Sequence, residues 1–505
     1  MYTPELKEIH SLPRSYNFIP IRYSFLADQV TPIQLYRTVR SDNTFLLESV
    51  EGGNRWGRYS FIGLHPFMTL RGGEGVAEFE YRSGKKEAVT ANPLSALRAK
   101  LESFRSPKLP GFPPFTGGAV GFLGYETAGF IENLPRAGES PLNLPDIHLY
   151  FADEIIAYDH LKQEVQVIVN MQLPEGAGAE DINREYTRCC ARIQEIVGII
   201  TRPVKVEQRV ENIPYAAPAV EVNSNMTQHE FESKVERAKE YIKAGDIFQV
   251  VLSQRFHTPT TTDPLLVYRI LRVTNPSPYM YYFQKGGTAV VGTSPELLVK
   301  VTEGTVEVRP IAGTRPRGQT PKEDQALAAE LLADEKECAE HLMLLDLGRN
   351  DVGRVASPGS VHVSEQMVME YYSRVMHMVS HVSGTLAQDK QPFDALLSAF
   401  PAGTVSGSPK IRAMEVISEL EGEARGLYAG AVGYFSFNGN LDSCITIRTI
   451  IFQDGQAYVQ AGAGIVADSV PSLEYEETRN KAKAMLYAIQ LAEHMTRKEE
   501  MSADV

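Results

Sequence analysis

The run GAVGYFSFNGNLDSCITIRTIIFQDGQAYVQAGAG, from Gly430 to Gly464, restricts the fold more than any other stretch. Asn438-Gly439 and Asp454-Gly455 each sit between alternating runs, and these dipeptides supply the positive φ that tight two-residue hairpins need. Strands joined in this way are antiparallel, which argues against a doubly wound dinucleotide-binding layout. Between about residues 20 and 170, NTFLLESV, WGRYSFIG, FTGGAVGFLGYE and IHLYFADEIIAYD read as further short strands punctuated by glycine, with a few helices among them. A helix is expected from about Asp181 to Ile200. The stretch TRPVKVEQRVENIPYAAPAVEVNSN has no helical period and three prolines, so residues 201–224 read as a linker between an N-terminal region, 1–200, and a C-terminal domain, 225–495.

The second part opens with a clear helix. Thr227 and Glu230 form a capping box, Phe231, Val235, Ala238 and Ile242 share a face, and Gly245 closes the helix. The strand that follows, IFQVVLSQRF, puts Phe248, Val250, Leu252 and Phe256 on one side and Gln249, Val251 and Ser253 on the other. With 505 residues and 43% hydrophobic content, a sizeable core is expected. The formal net charge of -13 provides no basic field for a polyanion, which argues against nucleic-acid binding. Four cysteines without a CxxC spacing suit neither a disulfide framework nor a thiolate zinc site. The first residues, MYTPELKEIHSLPRS, carry charges and prolines where a signal peptide needs an apolar segment, and no apolar run is long enough to span a bilayer. A cytoplasmic protein with no membrane partner is the expectation.

Several groups can carry chemistry. Glu337 and Glu340 lie three apart on a strong helix pattern, and Glu474 and Glu477 repeat the spacing near the start of another. If the two faces converge, four carboxylates offer the hard oxygen donors that suit magnesium; each pair alone also reads as a solvated helix face. FPAGTVSGSPK, residues 400–410, lacks the Walker spacing, but its glycine- and serine-rich turn opens a helix and can present N–H groups to an anion. AGAGIV, residues 461–466, is a second place where backbone can approach a ligand closely. Arg448 lies in a strand-like run, CITIRTII, where an inward guanidinium needs either a substrate carboxylate or an internal ion pair. His377 and His381 share a face of a strand. There is no GxSxG elbow, HExxH or amidotransferase-type cysteine turn, so glutamine hydrolysis would fall to another chain.

Taken together, PIAGTRPRG, AEHLMLLDLGRNDVGRV, FPAGTVSGSPKIRAME, YAGAVGYFSFNG and QAGAGIVADSVPSLEYEET resemble the chorismate-utilising enzymes, and in particular the large anthranilate synthase component. LLES, WGRYSFIG and FTGGAVGFLGYE extend the resemblance over nearly the whole chain. It implies an α+β fold, two largely antiparallel sheets packed in a sandwich with helices outside. The implied reaction takes chorismate and ammonia to anthranilate and pyruvate. By family match, Glu340 and Glu477 would hold Mg2+ with Glu337 and Glu474 in support, and Glu296 of TSPELLVK would protonate the departing C4 hydroxyl. His377 would serve the final aromatising step. Thr404, Gly313, Thr314, Tyr428, Arg448, Lys481 and the backbone at Gly462, Ala463 and Gly464 would hold the substrate. LLES and NPSPYMYY resemble a tryptophan-binding segment, with Ser49, Asn275, Pro278, Tyr279 and Met280 as contacts.

Two positions choose among family members. Relatives that add water carry a lysine where this chain has Gln249, and relatives that make the 4-amino isomer carry PIKGT, whose lysine attacks the ring; here Ala312 stands in RPIAGTRPRG, read as a positively charged turn. The resemblance further implies a glutamine amidotransferase partner and a heterotetramer of two large and two small subunits. The alternatives are the 4-amino synthase and a catalytically silent tryptophan-binding regulator. Arg315 and Arg317 are left with no assigned role beyond bracing the loop.

Overall fold

The computed structural model describes residues 1–50, 57–135, 137–202, 221–372 and 375–503. Trp56 and residues 203–220 of the expected linker therefore lie outside the described residues. Two large sheets, one of 13 strands and one of 12, carry the architecture among the described residues. The hairpins at Asn438-Gly439 and Asp454-Gly455 form as the sequence predicts, with φ of 89° at Gly439 and 73° at Gly455. The expected helices are Ala179–Ile200 and Gln228–Ala244, the latter with its Thr227–Glu230 capping box and left-handed Gly245.

Both sheets draw strands from both ends of the chain. In the first, Phe45–Glu48 pairs antiparallel with Tyr279–Lys285; in the second, Gly118–Leu123 pairs antiparallel with Ala431–Ser436. The first sheet therefore runs without a break from the N-terminal strands through Thr288–Ser294, Thr449–Gln453 and Gln456–Ile465 to Gln249–Pro259. Between the sheets, Phe45, Tyr281 and Phe283 of one pack with Val120, Phe122 and Val432 of the other in one buried cluster. Strand Glu164–Gln172 is buried on both faces: Ile168 joins that inter-sheet cluster, while Val165, Val167 and Val169 join another that includes Ile193 and Ile196 of the Ala179–Ile200 helix. Period-two alternation thus places opposite sides of one strand in two cores.

Three local expectations change. RPIAGTRPRG is not a turn: Ile311–Pro316 is a strand paired with Val375–Thr385, and Gly313 at φ 78° forms a bulge between the Ala312–Met378 and Thr314–His377 pairs. Glycine takes the left-handed bulge position without the steric penalty other residues meet. Arg448 is not in a strand. It lies between Leu441–Ile445, in the second sheet, and Thr449–Gln453, in the first, at φ 52° where the chain crosses from one sheet to the other. Phe248 does not share the buried face of Val250 and Leu252; it is 71% exposed and precedes the strand, which begins at Gln249.

Because neither half owns a complete sheet, residues 1–202 and 221–505 should each be insoluble when produced alone and should co-purify as a folded pair when produced together. Solubility and thermal unfolding of the two pieces check this, and a cooperative transition from either piece alone would contradict it.

Candidate active site

The two Glu-x-x-Glu faces come near enough for Glu477 to bear on Glu340, but among the described residues no three acidic, histidine or cysteine side chains are arranged to hold a metal ion. Glu337 and Glu340 lie on helix Glu335–Gly353, Glu474 and Glu477 on Pro471–Ala503. Although the residue as a whole is exposed, desolvation of its carboxyl end and then the nearby Glu337 and Glu477 raise Glu340 above its ordinary value, while the neighbouring Gln249 amide opposes the rise. Glu474 is raised in the same way, by desolvation and then by Glu477, with Ser469 opposing. Crowded carboxylates that resist full ionisation are an environment a cation relieves. Two of the four already have cationic partners: Glu477 meets Lys481 at 2.6 Å and Glu337 meets Arg315 at 3.0 Å. Arg315 also pairs with Glu330 and Asp334, so it braces the start of the Glu337 helix, whereas Arg317 pairs with Asp324. The Glu337 side chain lies over Gly313, where an added Cβ would come within 3.3 Å of its Oε2.

Glu296 follows the strand Thr288–Ser294 and is raised to about 7, chiefly by burial, with Thr404 and Lys481 opposing. The Thr404 hydroxyl faces this carboxyl from outside good hydrogen-bond geometry, so its buried oxygen has no partner among the described residues. A carboxyl poised near neutrality can hold and release a proton at physiological pH, as a general acid must. Lys481 donates to the Gly462 carbonyl at 2.9 Å, and its own carbonyl accepts from the Arg448 guanidinium at 2.9 Å.

Arg448 is half-buried and forms no ion pair among the described residues. Burial lowers its pKa, and Tyr428 and Glu477 are the nearby groups that oppose this. Tyr428 is pushed up to about 12 by burial, so its hydroxyl stays protonated and can donate. That hydroxyl approaches the chain so closely that a Cβ at residue 462 would stand 2.5 Å from it, which is why Gly462 must be glycine. A Cβ at Gly464 would likewise meet the Gln249 amide at 2.8 Å. Residues 462–464, with Ala463 fully buried, lie opposite Val251–Ser253 in the sheet. His377 pairs with Thr314, whose hydroxyl is 2.9 Å from Nδ1. Burial lowers its pKa, with the Gly313 backbone and Glu370 opposing and Arg448 adding to the fall, so the imidazole is neutral near pH 7.

His381 has a separate environment, bonded to Ser364 and to Glu307. In FPAGTVSGSPK, Gly403–Ser406 forms a helical turn and Gly407–Ser408 pairs with Gln249–Pro259, while Lys410 faces Asp351 at 3.6 Å. The turn therefore contributes Thr404, and its lysine is spent on a buried pair. The approach of Gln249 to Glu340 and the Arg315–Glu337 pair were not readable from sequence, because each depends on how separate elements pack.

A second site lies between the sheets. Ser49, Pro278, Tyr279 and Met280 line a cavity of about 260 Å3 together with Glu48, Tyr434 and Asp442. The Ser49 hydroxyl is buried without a partner among the described residues, and the Tyr279 hydroxyl donates to Asp442 at 3.0 Å. Asn275 does not line this cavity; its Nδ2 donates to the Thr293 hydroxyl at 2.9 Å.

The chain belongs to the chorismate-binding enzyme family, matched over residues 50–487. Within that family it groups with anthranilate synthase component 1. It is 50% identical to that protein from Acetivibrio thermocellus over 97% of this chain and 99% of the relative, and 46% identical to that from Geobacillus stearothermophilus over 96% and 97%. The solved structure of anthranilate synthase component I from Streptococcus pneumoniae superposes with a TM-score of 0.76 at 38% identity, covering 92% of this chain and 99% of that one. The menaquinone-specific isochorismate synthase of Escherichia coli, at 16% identity and a TM-score of 0.69 over 96% and 98%, shares the fold. No helix among the described residues is long and apolar enough to cross a membrane.

Proposed function

We propose that this chain converts chorismate and ammonia into anthranilate, pyruvate and water, taking its ammonia from a glutamine amidotransferase subunit in a cytoplasmic heterotetramer of two large and two small chains. The observation that carries this reading is a carboxyl raised to about 7, Glu296, which shares Lys481 as a neighbour with Arg448, a guanidinium that has no carboxylate partner among the described residues.

Each step has a residue suited to it. The Arg448 guanidinium receives the enolpyruvyl carboxylate, helped by the Tyr428 hydroxyl and the close backbone at Gly462 and Gly464. Glu340 and Glu477, supported by Glu337 and Glu474, would hold magnesium; their partial exposure suits an ion that keeps some of its waters. When bound, the ion supplies charge neutralisation at the ring carboxylate. Glu296 gives its proton to the C4 hydroxyl, which departs as water while ammonia adds at C2 and the ring double bonds shift. Gln249 lies beside Glu340 and has no basic nitrogen, consistent with a nucleophile that brings its own lone pair. Ala312 has no amine to attack the ring, which favours the 2-amino product over the 4-amino isomer. Neutral His377, oriented by Thr314, accepts the C2 proton as the C3 ether bond breaks; the released enol becomes pyruvate and the ring becomes aromatic.

The cavity lined by Ser49 and Pro278–Met280 fits the reading that tryptophan, an aromatic amino acid, inhibits the reaction. Chorismate, magnesium and an ammonium salt should give fluorescent anthranilate, and saturating tryptophan should suppress it. Ser49→Phe should keep turning over at tryptophan concentrations that silence the natural chain. Product with the amine para to the carboxylate, or no product, would overturn the reading. Because Glu296 acts in its protonated form, kcat should fall as pH rises through about 7. Glu296→Gln should lower kcat by about 10² to 10³ and remove that dependence; an unchanged pH profile in the variant would show that another group is the acid.

A further inference from the structure

We propose that Arg425 is a positioning residue for the reaction, its buried pair with Glu421 fixing Thr404, Tyr428 and the 462–464 backbone relative to one another. This rests on the roles given to those residues above. Arg425 lies between helix Lys410–Glu421 and strand Ala431–Ser436 and is 2% exposed. Four of its five guanidinium N–H groups are used at once. Nε and Nη2 donate to the two oxygens of Glu421 at 2.8 and 2.6 Å. Nη2 also donates to the Val251 carbonyl at 2.6 Å, and Nη1 to the Val405 carbonyl at 2.8 Å. The guanidinium carbon stands 5.5 Å from the centre of the Tyr428 ring and 4.7 Å from that of Tyr125.

Each contact reaches a part of the cleft. Val405 follows Thr404 in the turn Gly403–Ser406, which sets Thr404 beside the Glu296 carboxyl. Val251 lies opposite Gly464, and Ser253, whose N–H and hydroxyl both donate to Glu421, lies opposite Gly462. The Tyr428 hydroxyl occupies the space that Gly462 leaves open. The N-terminal part of the chain anchors the arginine itself: the Glu126 carboxyl oxygens accept from the backbone N–H groups of Arg425 and Gly426 at 2.7 and 2.9 Å. Stability alone does not call for such a pair. The cost of taking two charges out of water is comparable to their attraction, and apolar side chains of similar volume commonly serve a core as well. Apolar side chains cannot bond carbonyls of two separate segments in a fixed fork, so the pair acts on geometry.

Steady-state kinetics, calorimetric chorismate binding and thermal unfolding of the full-length chain test this. Arg425→Met alone leaves the Glu421 charge buried without its partner, so the decisive protein is the double variant Arg425→Met with Glu421→Gln. It removes both charges and keeps an acceptor for Ser253. The double variant should melt within about 5 °C of the natural chain. Its kcat should fall about 30-fold or more and its chorismate Kd should rise about tenfold. Because Thr404 opposes the rise at Glu296, release of the turn should also move the fall of kcat to higher pH. A pair that only supports the core would leave that midpoint unmoved, and that outcome overturns the proposal. Arg425→Lys keeps the charge but not the fork, and should fold with kcat lowered at least about fivefold; natural activity there would show that charge alone suffices. The proposal is equally overturned if the folded double variant keeps kcat and Kd within about twofold of the natural values, or if it fails to fold, which would make the pair a structural requirement. Failure of the assigned reaction is distinguishable: the natural chain itself would form no anthranilate, while the chorismate Kd of the double variant still reads the placement.

Discussion

The placement of one positive charge governs the cleft. Arg448 stands where the chain leaves the second sheet for the first, and among the described residues its guanidinium bonds the Lys481 carbonyl and pairs with no carboxylate. A partly desolvated guanidinium without a counter-ion is a cost that burial of a substrate carboxylate removes. The surrounding geometry preserves that vacancy of charge. Lys481 pairs with Glu477, the carboxylate whose charge Arg448 feels, and Arg315 pairs with Glu337, which lies over Gly313.

The same crossover explains why the fold mixes its halves. Strand Leu441–Ile445 belongs to one sheet and Thr449–Gln453 to the other, and each sheet also contains N-terminal strands. The cavity between them is walled by Glu48 from the N-terminal part and by Pro278 and Asp442 from the C-terminal part, so ligand binding there bears on both sheets. A second cavity wall, strand Leu441–Ile445, runs directly into the Arg448 crossover, and the Ile445 N–H bonds the Glu296 carbonyl.

Much of this was legible in sequence, where the signal is local. The Asn-Gly and Asp-Gly hairpins, the Thr227 capping box and the three-residue carboxylate spacing each depend on neighbours within one or two turns of chain, and each forms where expected. The misreadings share a cause. ITIRTII reads as one strand because Ile and Thr flank the crossover on both sides, and only the break in alternation at Arg448-Thr449 marks the left-handed Arg448. RPIAGTRPRG has the composition of a turn, but its pairing with Val375–Thr385 is a tertiary choice. The resemblance implied Asn275 as a tryptophan contact, and its bond to Thr293 could not be read from the sequence. Glu296 gave no local sign of its raised pKa, since burial by distant segments produces it.

Replacing Arg448 with methionine, which keeps length and apolar volume but removes the charge, tests the central claim most directly. The account predicts that Arg448→Met unfolds at or above the natural melting temperature, because an uncompensated charge is lost, while chorismate affinity in calorimetry falls by about 10² or more. A melting temperature lowered by several degrees together with unimpaired chorismate binding would make Arg448 a structural residue and contradict the account.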